Sequence, residues 1–122
     1  MGAICADRMK IETLRMNRIG FLLKVKESMI EDYKKIHENV WADMQDALRE
    51  TGWHNYSIFM KKDGTLFGYF ETPDSLEMAV QKMSHKEVNA RWQTMMSPYF
   101  EIPQGAHADQ TFMELEEVFH LD

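Results

Sequence analysis

The chain has 122 residues, of which 44% are hydrophobic and 28% charged, a composition that fits a folded globular domain and excludes a disordered polymer. Lys and Arg number 14 against 20 Asp and Glu, and the net charge of −6 opposes binding to nucleic acid or an anionic membrane, which need clustered cations. No apolar run approaches the roughly 20 residues that span a bilayer. The single cysteine, Cys5, can form neither an internal disulfide nor a zinc site, so a reducing cytoplasm is expected.

Residues 1–15 carry Asp7, Arg8, Lys10, Glu12 and Arg15, too many charges for the apolar core of a secretory signal. They read as a flexible extension, or a short local helix, ahead of a single domain over 16–122. Met16 offers an alternative start. Residues 18–26 (RIGFLLKVK) predict a strand, because Ile19, Phe21, Leu23 and Val25 alternate with Gly20, Leu22 and Lys24. Ser28 and Glu31 have capping-box spacing and would open a long helix running to about residue 50. Along it Met29, Ile30, Tyr33, Ile36, Val40, Trp41, Met44, Ala47 and Leu48 fall within one arc at about 100° per residue, with the charges outside. Gly52 then stops the helix after Thr51.

Residues 53–60 (WHNYSIFM) predict the second strand, with Tyr56, Ile58 and Met60 on one face and Trp53 and Phe59 on the other. Asp63-Gly64 is a tight-turn signal, so residues 65–71 form an antiparallel third strand. Pro73-Asp74-Ser75 ends it and opens a helix over 76–83. Ser84 would cap a further helix over 86–96. A Pro103-Gln104-Gly105 loop leads to a last strand over 112–121, with Leu115, Glu117 and Phe119 on one face. The order is that of an α+β, ferredoxin-like βαββαβ domain with an antiparallel sheet. Two helices cover only one face of such a sheet, and here the other face is also apolar. A homodimer closing two sheets face to face into a dimeric α/β barrel is expected.

His37 lies four residues from both Tyr33 and Trp41, so a titratable ring joins the apolar arc of the first helix. One reading is a buried structural histidine bonded to a backbone carbonyl. The other is a functional group on a pocket wall, favoured by its amphipathic neighbours and by Tyr56 and His54 on the second strand. His54 fits either that pocket or a sheet edge. His85, His107 and His120 lack partners at metal-ligand spacing and no HExxH is present, so no metal is expected. No Gly-rich phosphate loop or nucleophile elbow occurs. Met78, Met83, Met95 and Met96 read as core filling and imply no cofactor. Trp92 reads as core or as a ring offered to a ligand.

Residues 33–41 (YKKIHENVW) resemble the YxxxHxxxW helix of the L-rhamnose mutarotase family. His54-Asn55-Tyr56-Ser57-Ile58-Phe59 is similar to its second strand, Arg91-Trp92-Gln93 to its RWW segment, and Glu116-Glu117-Val118-Phe119-His120-Leu121 to its last strand. The likeness covers residues 16–122 in the same order. It implies small cytoplasmic homodimers of ferredoxin-like subunits that need no cofactor and interconvert the α and β anomers of a 6-deoxy-hexose. It further implies His37 as proton donor, with Tyr33, Tyr56, Trp92 and Gln93 contacting the sugar. Gln93 stands where the family usually has a second tryptophan, which leaves L-rhamnose, L-fucose and other deoxy-sugars open. The chemistry suits an imidazole: a hemiacetal opens and recloses by proton transfer alone, and histidine exchanges protons near neutrality. The rival readings are a non-catalytic sugar- or small-ligand-binding dimer and a cofactor-free oxygenase on the same fold.

Overall fold

The computed structural model describes residues 16–101 and 108–122. The expected 1–15 extension, Cys5, the 103–105 loop and His107 lie outside the described residues. Strand β1 (Asn17–Lys24) sits inside an antiparallel sheet, between β3 (Thr65–Thr72) and β4 (Met113–Leu115), and β2 (His54–Met60) pairs with the far side of β3. The order β2-β3-β1-β4 is that of a ferredoxin-like α+β fold. Its helical connections are α1 (Ile30–Ile36) with α2 (Ala42–Glu50), and α3 (Leu76–Met83) with α4 (Glu87–Met96). Among the described residues no helix is long and apolar enough to cross a membrane.

Alternation in β1 and β3 divides the sheet as expected. Ile19, Phe21, Leu66 and Phe70 are buried on the helix face, while Phe67 is partly exposed on the other. Phe21 stacks on Phe112 at 4.3 Å, and Trp53 on Phe70 at 4.0 Å. This aromatic layer depends on Gly68, directly opposite Phe21 on β3. A Cβ there would stand 2.7 Å from both Phe21 Cε atoms and closer still to Cζ. In the predicted Asp63-Gly64 turn, Gly64 has φ +94°, and a Cβ would overlap the Val25 carbonyl oxygen.

Four expectations need correction. The long helix after β1 is broken. Ser28 lies within a 3₁₀ turn (Glu27–Met29) and caps nothing, α1 ends at Ile36, and His37–Asn39 form a second 3₁₀ turn. Val40 and Trp41 are extended, with ψ of 136° and 138°, before α2 begins. His-Glu-Asn-Val-Trp contains one strong helix former, so little local preference opposes the break. The apolar arc is real, but it belongs to two helices and a bend.

The second correction concerns β2. Trp53 and Tyr56 do not face opposite ways, because a bulge lies between His54 and Ser57 and their rings meet at 5.1 Å. Third, Ser84 ends α3 instead of opening α4, since its hydroxyl donates to the Gln81 carbonyl at 2.5 Å and α4 has no side-chain cap. The α3 start is capped by Ser75, which accepts from Met78 N–H at 3.1 Å; Met78 itself is exposed, while Met83 and Met96 are core. Fourth, the last strand is three residues long and not ten. Leu115, Glu117 and Phe119 do share the outer face of the sheet, beside Arg18, Gly20 and Tyr69. Residues 116–122, however, pair with no described strand.

Candidate active site

A cavity of about 360 Å³ lies between the helices and the inner face of the sheet. The end of α1 contributes Tyr33 and His37, β2 contributes Tyr56, and α4 contributes Trp92 and Gln93. All five residues singled out in the sequence therefore border one space. Trp41 lies behind it, edge-on to Trp92 at 4.9 Å.

One helical turn stacks the His37 ring on Tyr33, with centroids 4.0 Å apart and planes at 29°. Trp92 meets the imidazole edge-on at 5.5 Å. The break after Ile36 places His37 where α1 runs out, and its Nδ1 lies 3.0 Å from the Tyr33 carbonyl oxygen. A carbonyl only accepts, so Nδ1 carries a hydrogen. In the neutral ring Nε2 is then the acceptor. No described residue holds Nε2. The carbonyl bond is the one a structural histidine would make, but the ring also borders the cavity. Burial pulls the His37 pKa below its ordinary 6.5, and the carbonyl bond opposes this only in part. The ring is thus mostly neutral near pH 7.

Tyr33 and Tyr56 behave in the opposite sense. Burial pushes both phenols far above their usual 10, and Tyr56 is raised further by its neighbour Tyr33. Both remain protonated across the physiological range. Neither phenol oxygen has a hydrogen-bond partner among the described residues. The wall therefore offers two O–H donors of one fixed protonation state beside one imidazole that can change its own.

Sequence reasoning missed Asn89. It is buried to 4% exposure, lines the cavity, and accepts at Oδ1 from Gln93 Nε2 at 3.3 Å. Its signal was available: an amide one turn before Gln93, between Val88 and Trp92 on the buried side of α4. Trp53, Met44 and Leu48, which the sequence pattern marks only as fold residues, also line the space. His54 does not reach the cavity. With Asn55 and Arg49 it borders a second, more open depression that shares His37 and Tyr56 with the cavity. β2 is an edge strand, which is the second of the two positions foreseen for His54. Among the described residues no group of three or more His, Cys, Asp or Glu could hold a metal ion.

An imidazole, two protonated phenols, an indole and carboxamides around a partly open cavity place this subunit in the class of ferredoxin-like α+β domains whose wall chemistry suits a hydroxylated small molecule. The family model described as L-rhamnose mutarotase matches residues 18–121. The L-rhamnose mutarotase of Oceanobacillus iheyensis is 36% identical over 108 residues, covering 88% of this chain and 100% of that protein. That of Bacillus subtilis is 35% identical over the same length and coverage. The crystal structure of an L-rhamnose mutarotase from Formosa agariphila has the same fold, with a TM-score of 0.71 at 23% identity over 87% of this chain and 99% of that one. The chain belongs to the L-rhamnose mutarotase family.

Proposed function

We propose that this protein is an isomerase that interconverts the α and β anomers of L-rhamnose or a closely related 6-deoxy-hexose. The observation that carries the reading is His37: an imidazole on the cavity wall, tied at Nδ1, with no partner for Nε2 among the described residues. At about 360 Å³ the cavity is of monosaccharide scale, near the low end of the roughly 300–1,000 Å³ typical of ligand sites.

With Nδ1–H engaged, proton exchange runs through Nε2. The neutral ring takes the proton of the anomeric hydroxyl as the C1–O5 bond breaks, and water protonates the ring oxygen. Rotation about C1–C2 presents the other face of the aldehyde. As the ring closes, the C5 hydroxyl that attacks C1 gives its proton to water, and the imidazolium returns its proton to the former carbonyl oxygen. Donation by His37, the role implied by the family resemblance, is the closing half of this cycle. Tyr33 and Tyr56 hydrogen-bond sugar hydroxyls, Trp92 packs against the C–H face and deoxy methyl, and Gln93 binds a hydroxyl where an indole would stack.

We further propose a homodimer formed by the outer sheet faces. Phe59 is 60% exposed, Met113 63% and Phe119 78%, a clustering that a lone subunit leaves in water.

NMR saturation transfer between the anomeric protons tests the activity. Wild type should accelerate exchange of L-rhamnose or another deoxy-sugar. His37→Gln, which keeps an amide for the Tyr33 carbonyl, should lose about 10²–10⁴-fold of that acceleration while retaining its fold. Undiminished exchange in the variant removes His37 from the mechanism. Ligand-induced shifts in wild type without faster exchange would instead identify a non-catalytic binding protein.

A further inference from the structure

Trp53 and Tyr56 are three residues apart, and in a regular strand they would face opposite sides of the sheet. Here both line the cavity, with ring centroids 5.1 Å apart. The register shows why. His54 pairs with Glu71 and Ser57 with Tyr69, so Asn55 and Tyr56 together oppose Phe70 alone. Asn55 has φ +52° and is the one described non-glycine residue in the left-handed region. Asparagine enters that region more readily than other non-glycine residues, whereas a β-branched residue there is strained.

The asparagine is also tied down. Its Nδ2 donates to Glu71 Oε2 at 3.1 Å, and the Tyr69 hydroxyl donates to the same oxygen at 2.7 Å. Tyr69 and Glu71 alternate with the buried Phe70, so this anchor lies on the outer face while Tyr56 turns inward. The two bonds hold the Glu71 carboxyl below its usual range, which keeps it an acceptor near neutral pH.

We propose that Asn55 is a positioning residue: its left-handed backbone makes the bulge that turns the Tyr56 phenol into the cavity beside Trp53. Asn55 need not touch the sugar. Its contribution reaches the ligand through Tyr56, and it rests on the reading of the cavity as a sugar site.

The test uses the full chain, with two readouts: the cross-peak between the Trp53 and Tyr56 rings in NOE spectra without ligand, and KM and kcat for anomer exchange. Asn55→Gly retains access to positive φ and loses only an exposed hydrogen bond. It should keep the cross-peak, with KM within about threefold of wild type. Asn55→Val should lose the cross-peak and raise KM about tenfold, the scale of one lost hydrogen bond to the ligand, with a smaller effect on kcat. A valine variant that keeps the cross-peak and the wild-type KM overturns the proposal, as does a glycine variant that behaves like valine. Should the valine variant fail to fold, the wild-type spectrum still decides. A strong intraresidue HN–Hα cross-peak at Asn55 together with the Trp53–Tyr56 contact supports the proposal, and absence of either overturns it. Wild type that fails to accelerate exchange, while the ring contact depends on residue 55 as described, supports the positioning claim and removes the mutarotase reading alone.

Discussion

His37 shows how a small change in surroundings selects a chemical role. In water an imidazole divides its time between two tautomers and two charge states. Here the Tyr33 carbonyl selects the tautomer, and burial favours the uncharged ring. Because the folded-state pKa lies below 6.5, the ring is neutral above that value and takes up a proton only as the pH falls further. If exchange begins with proton acceptance at Nε2, the rate is level around neutrality and declines as the pH falls through the His37 pKa. If it began with donation by the imidazolium, the rate would climb over the same interval. The pH–rate profile of anomer exchange, corrected for the uncatalysed reaction, separates the two, and the falling limb is expected. The i, i+4 spacing of Tyr33 and His37 carried this pairing in the sequence, and one turn of α1 delivers it. Trp41 shares that spacing in the sequence, but the backbone leaves the helix before reaching it. Its ring joins the group through Trp92 instead.

At the scale of elements, the strands of the βαββαβ order follow from alternation and turn chemistry, and the α3 bounds follow from Ser75 and the apolar spacing behind it. The departures occur where packing outweighs local preference. The bend at 37–41 lets Val40 line the cavity while Trp41 meets α4. The β2 bulge brings two aromatic rings to a face where alternation allows one. Gly68 is a third case: from the sequence it is a glycine in a strand, and only the pairing with Phe21 shows its purpose. Gly68→Ala forces the Phe21 ring out of its stack on Phe112. By the usual cost of overpacking a core it should destabilise the fold by about 1–3 kcal/mol. Chemical denaturation of the variant should show a lower midpoint with an unchanged slope. Unchanged stability would mean that the Phe21 ring has room to move.

For the whole molecule, the sheet has one face covered by helices and one apolar face left open. Phe59 and Phe67 lie 6.1 Å apart there, and the outer strand β4 continues into Val118, Phe119 and Leu121, each more than three-quarters exposed. The Arg18–Glu117 ion pair at 2.9 Å ties that segment to the sheet. Wild type should therefore run as a dimer by light scattering. Phe67→Lys, placed on a central strand but pointing away from the core, should shift it towards monomer with unchanged circular dichroism. Monomeric wild type at the same concentration would remove the dimer reading.

The order of elements, the two apolar faces of the sheet and the Tyr33–His37 pair were determined by the sequence, because each is written in spacings of one to four residues. A cavity is not a local property. Whether Tyr56 shares it with Trp53, whether Asn89 belongs to it and whether His54 stays outside it depend on a bulge, a helix break and the packing of α4 against α2. Only the tertiary structure decided these, since each small local preference yields to the larger gain from burying aromatic surface. The length of the last strand is not local either: alternation marks residues 112–121 as able to pair, but the ladder with β1 stops at Leu115 opposite Gly20, although β1 itself continues to Asn17.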